Sequence, residues 1–248
     1  MNPVDQHLRE IEKNLAAWNR KPLLQEIYSG FYQDIIGRIN TSASGLTIEL
    51  GSGIGNLKSY LPSAISTDLF PNPWIDKVCD AYAMPFADHT VSHLILFDVF
   101  HHLRAPGAFL KEARRVLEPE GKILIFEPFI SFGSYPVYAL LHHEPVALKE
   151  PIDLRSDPPP TDYYAAQGNA TRVFFRHEAA SLLDGWAITH AEAMSAFAYL
   201  LSGGYSKPAL YPKWLLPFLQ RCDRALSRFP RLFAARCLIE LSPATVRK

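Results

Sequence analysis

The chain has no excess of charge of either sign, little cysteine and no long apolar run. Its 25 Lys and Arg balance 25 Asp and Glu, which removes the basic surface expected of a general nucleic-acid binder. Three cysteines, Cys79, Cys222 and Cys237, share no paired spacing, so neither a disulfide framework nor a cysteine-based zinc site follows. No stretch reaches the ~18 apolar residues of a membrane span. The opening MNPVDQHLREIEKN holds no apolar segment of a signal peptide, so a reducing cytoplasm is the expected compartment. What is present is 248 residues, 48% of them apolar, enough for one large packed domain or two small ones.

Periodicity divides the chain. Residues 1–45 read as a helical cap, with Leu8, Ile11, Leu15 and Trp18 at helical spacing. From 46 to 128 short β-rich runs alternate with helical stretches: strands at 46–50, 64–69, 77–81, 93–100 and 122–128, and helices at 56–62 and 106–121. That alternation predicts βαβ units and a parallel sheet. From 129 to 176 the pattern is lost among prolines, including the run Pro158–Pro160, and tyrosines. An irregular insert of this length inside a domain reads as a lid or binding segment. Residues 177–248 resume with a helix at 177–185 and strands at 186–197 and 237–241, interrupted by a helical insert at 202–234.

The sharpest local signal is Glu49-Leu-Gly51-Ser-Gly53-Ile-Gly55, between a strand and the next helical stretch. Glycines there permit a tight turn and close approach of a nucleotide-like ligand. The dinucleotide fingerprint Gly-x-Gly-x-x-Gly needs glycine where Asn56 stands. Asp68 and Asp80 end the next two strands. A carboxylate at the first can accept ribose hydroxyls, and one at the second, beside a backbone N–H, can read an adenine edge.

With IELGSGIG (48–55), STDLF (66–70), CDAYAMPFADHTV (79–91), LFDVFHHL (96–103) and FLKEARRVLEPEGKILIFEP (109–128) in order, the sequence resembles the class I S-adenosylmethionine-dependent methyltransferases of the broad small-molecule type. The resemblance spans about a third of the chain. It implies an α/β fold with a Rossmann-like, mostly parallel seven-stranded sheet, helices on both faces and the last strand antiparallel, plus lid inserts. It implies S-adenosyl-L-methionine as cofactor. Glu49, Gly51, Ser52, Gly53 and Gly55 would line its methionine and ribose side, and Asp68 with Leu69 the ribose. Asp80 and Ala81 would meet the adenine, and Phe97 and Asp98 the floor near the methionine end. Ser92-His93 and Glu120 depart from the family pattern and read as local turn changes away from the pocket.

For methyl transfer the protein mainly supplies proximity and alignment, and an alcohol or amine acceptor also calls for a base. The candidates are His101, His102, Glu127 and, from the insert, His143. His102 also fits a packing or capping role, and Glu127 a structural hydrogen-bonding one. The insert groups Tyr138, His142-His143-Glu144 and Asp162-Tyr163-Tyr164 over the substrate side. No spaced His-x-x-x-His completes a metal site, so no metal is expected. Asn169-Ala-Thr171 matches a glycosylation acceptor by chance.

In KWLLPFLQRCDRALSRF, Leu215, Leu219, Cys222 and Leu226 form one helical face and Arg221, Arg224 and Arg228 the other. The pattern fits a docked surface helix with a solvated basic face. It also offers a peripheral contact with an anionic membrane through 213–229. Residues 213–248 hold eight basic against two acidic side chains, so the neutral total conceals a basic end. The expected substrate is a small molecule or a lipid- or carrier-linked acceptor, a saccharide foremost, with no nucleic-acid partner. The alternatives are a methyltransferase-like protein that binds cofactor without catalysis and, against Asn56, a nucleotide-dependent oxidoreductase. Oligomeric state and the acceptor atom are not encoded in any of these motifs.

Overall fold

The computed structural model describes residues 3–159 and 163–244; Pro160 and Asp162 lie outside them. Strands β1 (Leu46–Leu50), β2 (Ile65–Asp68), β3 (Lys77–Val78), β4 (Val91–Phe97), β5 (Leu117–Pro128), β6 (Trp186–Ser195) and β7 (Ala234–Pro243) form one sheet, in the order β3-β2-β1-β4-β5-β7-β6. β7 runs antiparallel to β5 and β6, and the β1–β2, β1–β4, β2–β3 and β4–β5 pairs are parallel. Strand order reverses between β1 and β4. In such sheets the crevice beyond the carboxyl ends at the reversal is where ligands bind.

Side chains alternate across the sheet as the pleat requires. Leu94 and Leu96 of β4 join Phe109, Leu110, Ala113 and Val116 of helix α3 (Pro106–Val116 after α1, Pro3–Arg20, and α2, Pro22–Ile36) in one core. Ile95 between them faces Leu24, Tyr28 and Ile35 of α2 in the other. Each such fully buried aliphatic or aromatic side chain contributes about 1.5–3 kcal/mol, so α2 and α3 clamp the sheet from opposite faces.

Several expected boundaries change. α3 stops at Val116, not 121, because Pro119 disfavours helix at Glu118; Leu117 instead pairs with Val91 in the sheet. Ser92 and His93 lie inside β4, and Nε2 of His93 accepts the N–H of Asn40. Residues 56–62 form only a 3-10 turn, Asn56–Ser59, and 177–185 only Ala180–Leu183. The second is bracketed by His177 and Gly185 at positive φ, leaving too few residues to repay helix nucleation. β6 ends at Ser195, where α5 (Phe197–Leu201) takes over from the strand expected to 197. The insert at 129–176 is not wholly irregular: it carries a short helix α4 (Tyr135–Leu140) and a π turn at Thr171–Phe175. Asn169 is buried, which closes it to glycosylation.

The basic helix forms as α6 (Leu216–Leu226) with Pro217 in its first turn, followed by α7 (Pro230–Phe233). Its inward face differs from the expected stripe. Leu216 and Asp223 are the buried positions, while Leu215, Leu219, Cys222 and Leu226 are half-buried. Asp223 accepts the N–H groups of Phe197 and Ala198, at 2.8 and 3.0 Å, and the Ser195 hydroxyl at 2.6 Å. It thus caps α5 and anchors α6 to the end of β6. Among the described residues, no helix is long and apolar enough to cross a membrane.

Candidate active site

The glycine loop follows β1 at the point of strand reversal. Gly51 has φ +66°, and a Cβ there would stand 2.5 Å from Val99 Cγ2. Gly53, at φ +53°, has no heavy atom within 4 Å of where its Cβ would be. The first glycine is thus enforced by backbone and space together, while the second leaves an open face towards the crevice. The end of β2 holds the loop in shape. Ser52 N–H donates to the Thr67 carbonyl at 2.8 Å, Thr67 N–H to Ser52 Oγ at 3.0 Å, and Gly53 N–H to Asp68 Oδ2 at 3.0 Å. Asp68 Oδ1 accepts Leu69 N–H at 2.7 Å.

Sequence reasoning missed one neighbour of Asp68. Helix α1 brings His7 Nε2 to 3.1 Å from Asp68 Oδ1. The hydrogen bond to Asp68 raises the His7 pKa above its usual value, against the opposing effect of burial. Sixty residues of separation conceal this pair from any motif.

Glu49 is 3% exposed, and its Oε2 makes no hydrogen bond among the described residues. Burial pushes its carboxyl up to about 8, with nearby Asp68 adding to the rise against a Ser52 hydrogen bond. Asp80, after β3, accepts Tyr82 N–H at 2.9 Å in a tight turn that carries Ala81. Leu69 is exposed. Beyond β4, Phe97 packs edge-on against Tyr28, Tyr32 and Phe126. Asp98 follows at φ +58°, with Arg236 of β7 2.6 Å away. The Arg236 guanidinium is buried 4.7 Å from the Phe126 ring centre and 5.5 Å from that of Tyr199. Burial raises the Asp98 carboxyl even so, although Arg236 pulls it down. Arg236, Tyr28 and Tyr199 reach this box from three distant segments, so no local pattern announced them.

These groups fit S-adenosylmethionine. Glu49 Oε2, buried and without a partner among the described residues, would suit the cationic amino-acid end, the open side of Gly53 would allow close approach, and Asp68 would take the ribose. Asp80 and Ala81 would be the residues to meet the adenine.

A second cluster lies past the end of β4. Phe100–His102 form a 3-10 turn. Glu127, at the end of β5, is wholly buried: its Oε1 accepts Val99 and Phe100 N–H at 2.7 and 2.6 Å, and its Oε2 lies 2.6 Å from His101 Nδ1. The insert closes over this pair. Glu144 places Oε2 3.3 Å from His101 Nε2 and Oε1 3.5 Å from His102 Nε2. Glu144 accepts Gln167 Nε2 at 2.7 Å on Oε2 and the Tyr163 hydroxyl at 3.2 Å on Oε1, while Ala166 N–H donates to the His101 carbonyl. Burial pulls His101 down, but Glu127 and Glu144 outweigh it and raise the imidazole to about 10. His102 moves the other way, lowered by burial and then by His101. Of the four acid–base candidates, His101, His102 and Glu127 are brought together. His143 stands at the rim, its side chain 70% exposed and 3.8 Å from Glu144. Glu144, not His143, is the lid residue that meets His101.

A methyltransferase domain family matches residues 48–125, which cover the glycine loop, Asp68, Asp80 and the His101–His102 turn. No curated protein matches the chain. Among solved structures, the fold is similar to a chain in the Haloferax volcanii complex between the Trm112 methyltransferase activator and a protein described as a methyltransferase. That match has 15% identity, 99% coverage of each chain and a TM-score of 0.55. It is also similar to Haemonchus contortus phosphoethanolamine N-methyltransferase 2 in complex with S-adenosyl-L-methionine. There the identity is 13% and the TM-score 0.51, over 87% of this chain and 53% of that one. Strand order, the shaped glycine loop and the domain match agree: residues 48–125 match a methyltransferase domain, and the chain has the Rossmann-like fold of the methyltransferases it resembles.

Proposed function

We propose that the protein methylates a small-molecule or carrier-linked acceptor, a saccharide or its lipid-linked form foremost. The observation that carries this reading is the enclosure of the acceptor side. His101 and Glu127 are sealed beneath the 129–176 insert, and half-exposed His102 is the open member of the group. So small an approach suits a small molecule or the end of a chain-like carrier. Bound S-adenosylmethionine supplies a methyl group already activated on a sulfonium. The protein's own share is orientation and exclusion of water. Glu49, Asp68 and Asp80 hold the cofactor end, the aromatic box around Phe97 keeps the centre dry, and Glu127 fixes the His101 ring through Nδ1. A cleft lined by Arg104, Ile152, Asp153, Arg155 and Tyr164, in which Arg155 pairs with Asp153, adjoins His102 through the Tyr164 carbonyl. The decisive experiment is a mass-detected methyl-transfer screen across free sugars, lipid-linked saccharides and small metabolites. A mass gain of one methyl on a member of the first two sets is expected; transfer confined to peptides or RNA would overturn the reading.

The lipid-linked form is favoured by one observation on α6 and the turns that flank it. Trp214 and Phe218, 77% and 57% exposed, project beside exposed Arg221, Arg224 and Arg228. A docked surface helix needs no large aromatics on its solvent side, whereas an interfacial helix uses both. Wild-type protein is expected to co-sediment with vesicles rich in anionic lipid at low salt. Charge reversal at the three arginines, or Trp214→Ala with Phe218→Ala, should cut the bound fraction several-fold. Absence of wild-type sedimentation at low salt would remove the membrane contact.

A further inference from the structure

We infer that His101, His102 and Glu144 form a divalent-cation site on the acceptor side of the cofactor. The inference rests on the reading of this cluster as the place where acceptor binds.

Three features of the geometry support it. First, both imidazoles are held by their inner nitrogen. His101 Nδ1 faces Glu127 Oε2 at 2.6 Å and His102 Nδ1 faces the Tyr164 carbonyl at 2.9 Å. A carbonyl oxygen only accepts, so His102 Nδ1 is the donor and its Nε2 presents a lone pair. A histidine anchored through one nitrogen by a carboxylate or carbonyl, with the other turned to a common point, is the arrangement that orients metal ligands. Second, those outer nitrogens turn to the same carboxylate. With His102 neutral, its Nε2 and Glu144 Oε1, 3.5 Å apart, are two acceptors facing each other, a gap that either a proton or a metal cation would bridge. Third, the spacing is right. Nitrogen and oxygen ligands bound at about 2.1 Å in a tetrahedral shell stand about 3.4 Å apart; the two Nε2–Oε separations are 3.3 and 3.5 Å, and all three donors lie within 4.8 Å of one another.

Charge points the same way. An ion that displaces the proton held on His101 by Glu127 and Glu144 would face two carboxylates and two neutral imidazoles, and one divalent charge would cancel theirs. Asp98, the other acid nearby, is already met by Arg236. Two imidazoles and one carboxylate suit Zn²⁺, Co²⁺ or Mn²⁺ better than the all-oxygen preference of Mg²⁺ or Ca²⁺. The ligand set leaves coordination positions open, and half-exposed His102 marks their side as reachable from solvent. An oxygen donor of the acceptor would fill one, and its hydroxyl pKa would fall there. This narrows the acceptor class to hydroxyl-bearing molecules. Adjacency in sequence hides the site, because neighbouring histidines are not a recognised ligand spacing; the 3-10 turn and the lid bring the donors into register.

The experiment is calorimetric titration of the metal-stripped protein with Zn²⁺, Mn²⁺ and Co²⁺, with the Co²⁺ absorption spectrum recorded alongside. One ion per chain is expected, with Co²⁺ bands of a low-coordinate nitrogen–oxygen site. Glu144→Gln and His102→Ala should each weaken it at least tenfold. His143→Ala, at the exposed rim, should leave it unchanged. S-adenosylhomocysteine affinity, measured on the same samples, should be retained in all three variants. Failure of every ion to bind stoichiometrically, or equal binding after Glu144→Gln, would overturn the site. Intact metal binding with no methyl transfer to any hydroxyl acceptor would overturn the acceptor reading and leave the cation site standing.

Discussion

Asp68→Ala is expected to weaken S-adenosylhomocysteine binding about a hundredfold or more, while the protein still melts cooperatively. Asp68 is buried at the end of β2 and offers its carboxylate to the crevice at the strand reversal. Two ribose hydroxyls donating to one carboxylate make charge-assisted hydrogen bonds, each contributing about 1.5–3 kcal/mol. Losing both removes roughly 3 kcal/mol or more, and each 1.4 kcal/mol is tenfold in affinity. Some of the loss is indirect. Asp68 also takes the N–H groups of Gly53 and Leu69, so alanine loosens the glycine loop as well. Asp68→Asn separates the two contributions, because its amide oxygen can still accept one loop N–H. Its affinity should fall between those of alanine and wild type. The contact with His7 adds a further feature: α1 lies over the same oxygen, so docking ribose must share or displace that imidazole. Calorimetry on folded protein decides the matter; an Asp68→Ala affinity equal to wild type would refute the ribose role.

The glycine loop was legible because its constraints are local. Gly51 must adopt a positive φ against Val99, which only glycine does readily, and that leaves a mark in the sequence. Asp68 ends β2, as the expected strand has it, whereas the strand expected over 77–81 closes at Val78 and leaves Asp80 in the turn beyond. The sheet was legible for the same reason, up to its boundaries. α3 ends early where Pro119 disfavours the helix, and β5 gains the residues so released. The acceptor side was legible only in part. His101, His102 and Glu127 stand near strand ends and could be nominated from position. Their arrangement could not, since Glu127 turns inward to two backbone N–H groups and Glu144 arrives from the insert. His7 and Arg236 belong to elements whose sequence shows ordinary helix and strand patterns; only the fold brings them to Asp68 and Asp98. On α6 the periodicity was right, but the inward face was set by Asp223, a polar residue whose burial depends on capping a helix elsewhere in the chain. Contacts between distant segments leave no spacing to read.

Cofactor affinity is expected to rise with pH between about 6 and 8 and to level off above. The cause is Glu49. Burial raises its carboxyl from 4.5 to about 8 in the free protein, so at pH 7 it is mostly protonated. A cationic amino-acid end bound beside it favours the ionised form and lowers that pKa. Binding therefore expels a proton wherever the free group is protonated and the bound one is not. The affinity then tightens by up to about tenfold per pH unit in that window. The sign is opposite for stability. A carboxyl raised above its unfolded value costs the free protein stability as pH climbs from about 4.5 to 8, so the ligand-free protein should melt at lower temperature at pH 8 than at pH 6 through this group. His7 also titrates near Asp68 and would change affinity in the same direction by freeing Oδ1. The two are separated by variants: most of the slope should be lost in Glu49→Gln and most of it kept in His7→Ala. Calorimetry with S-adenosylhomocysteine at pH 7, in two buffers of different ionisation enthalpy, should show close to one proton released per ligand bound. Release of no proton, or a slope unchanged in Glu49→Gln, would mean that Glu49 does not face the cationic end of the cofactor.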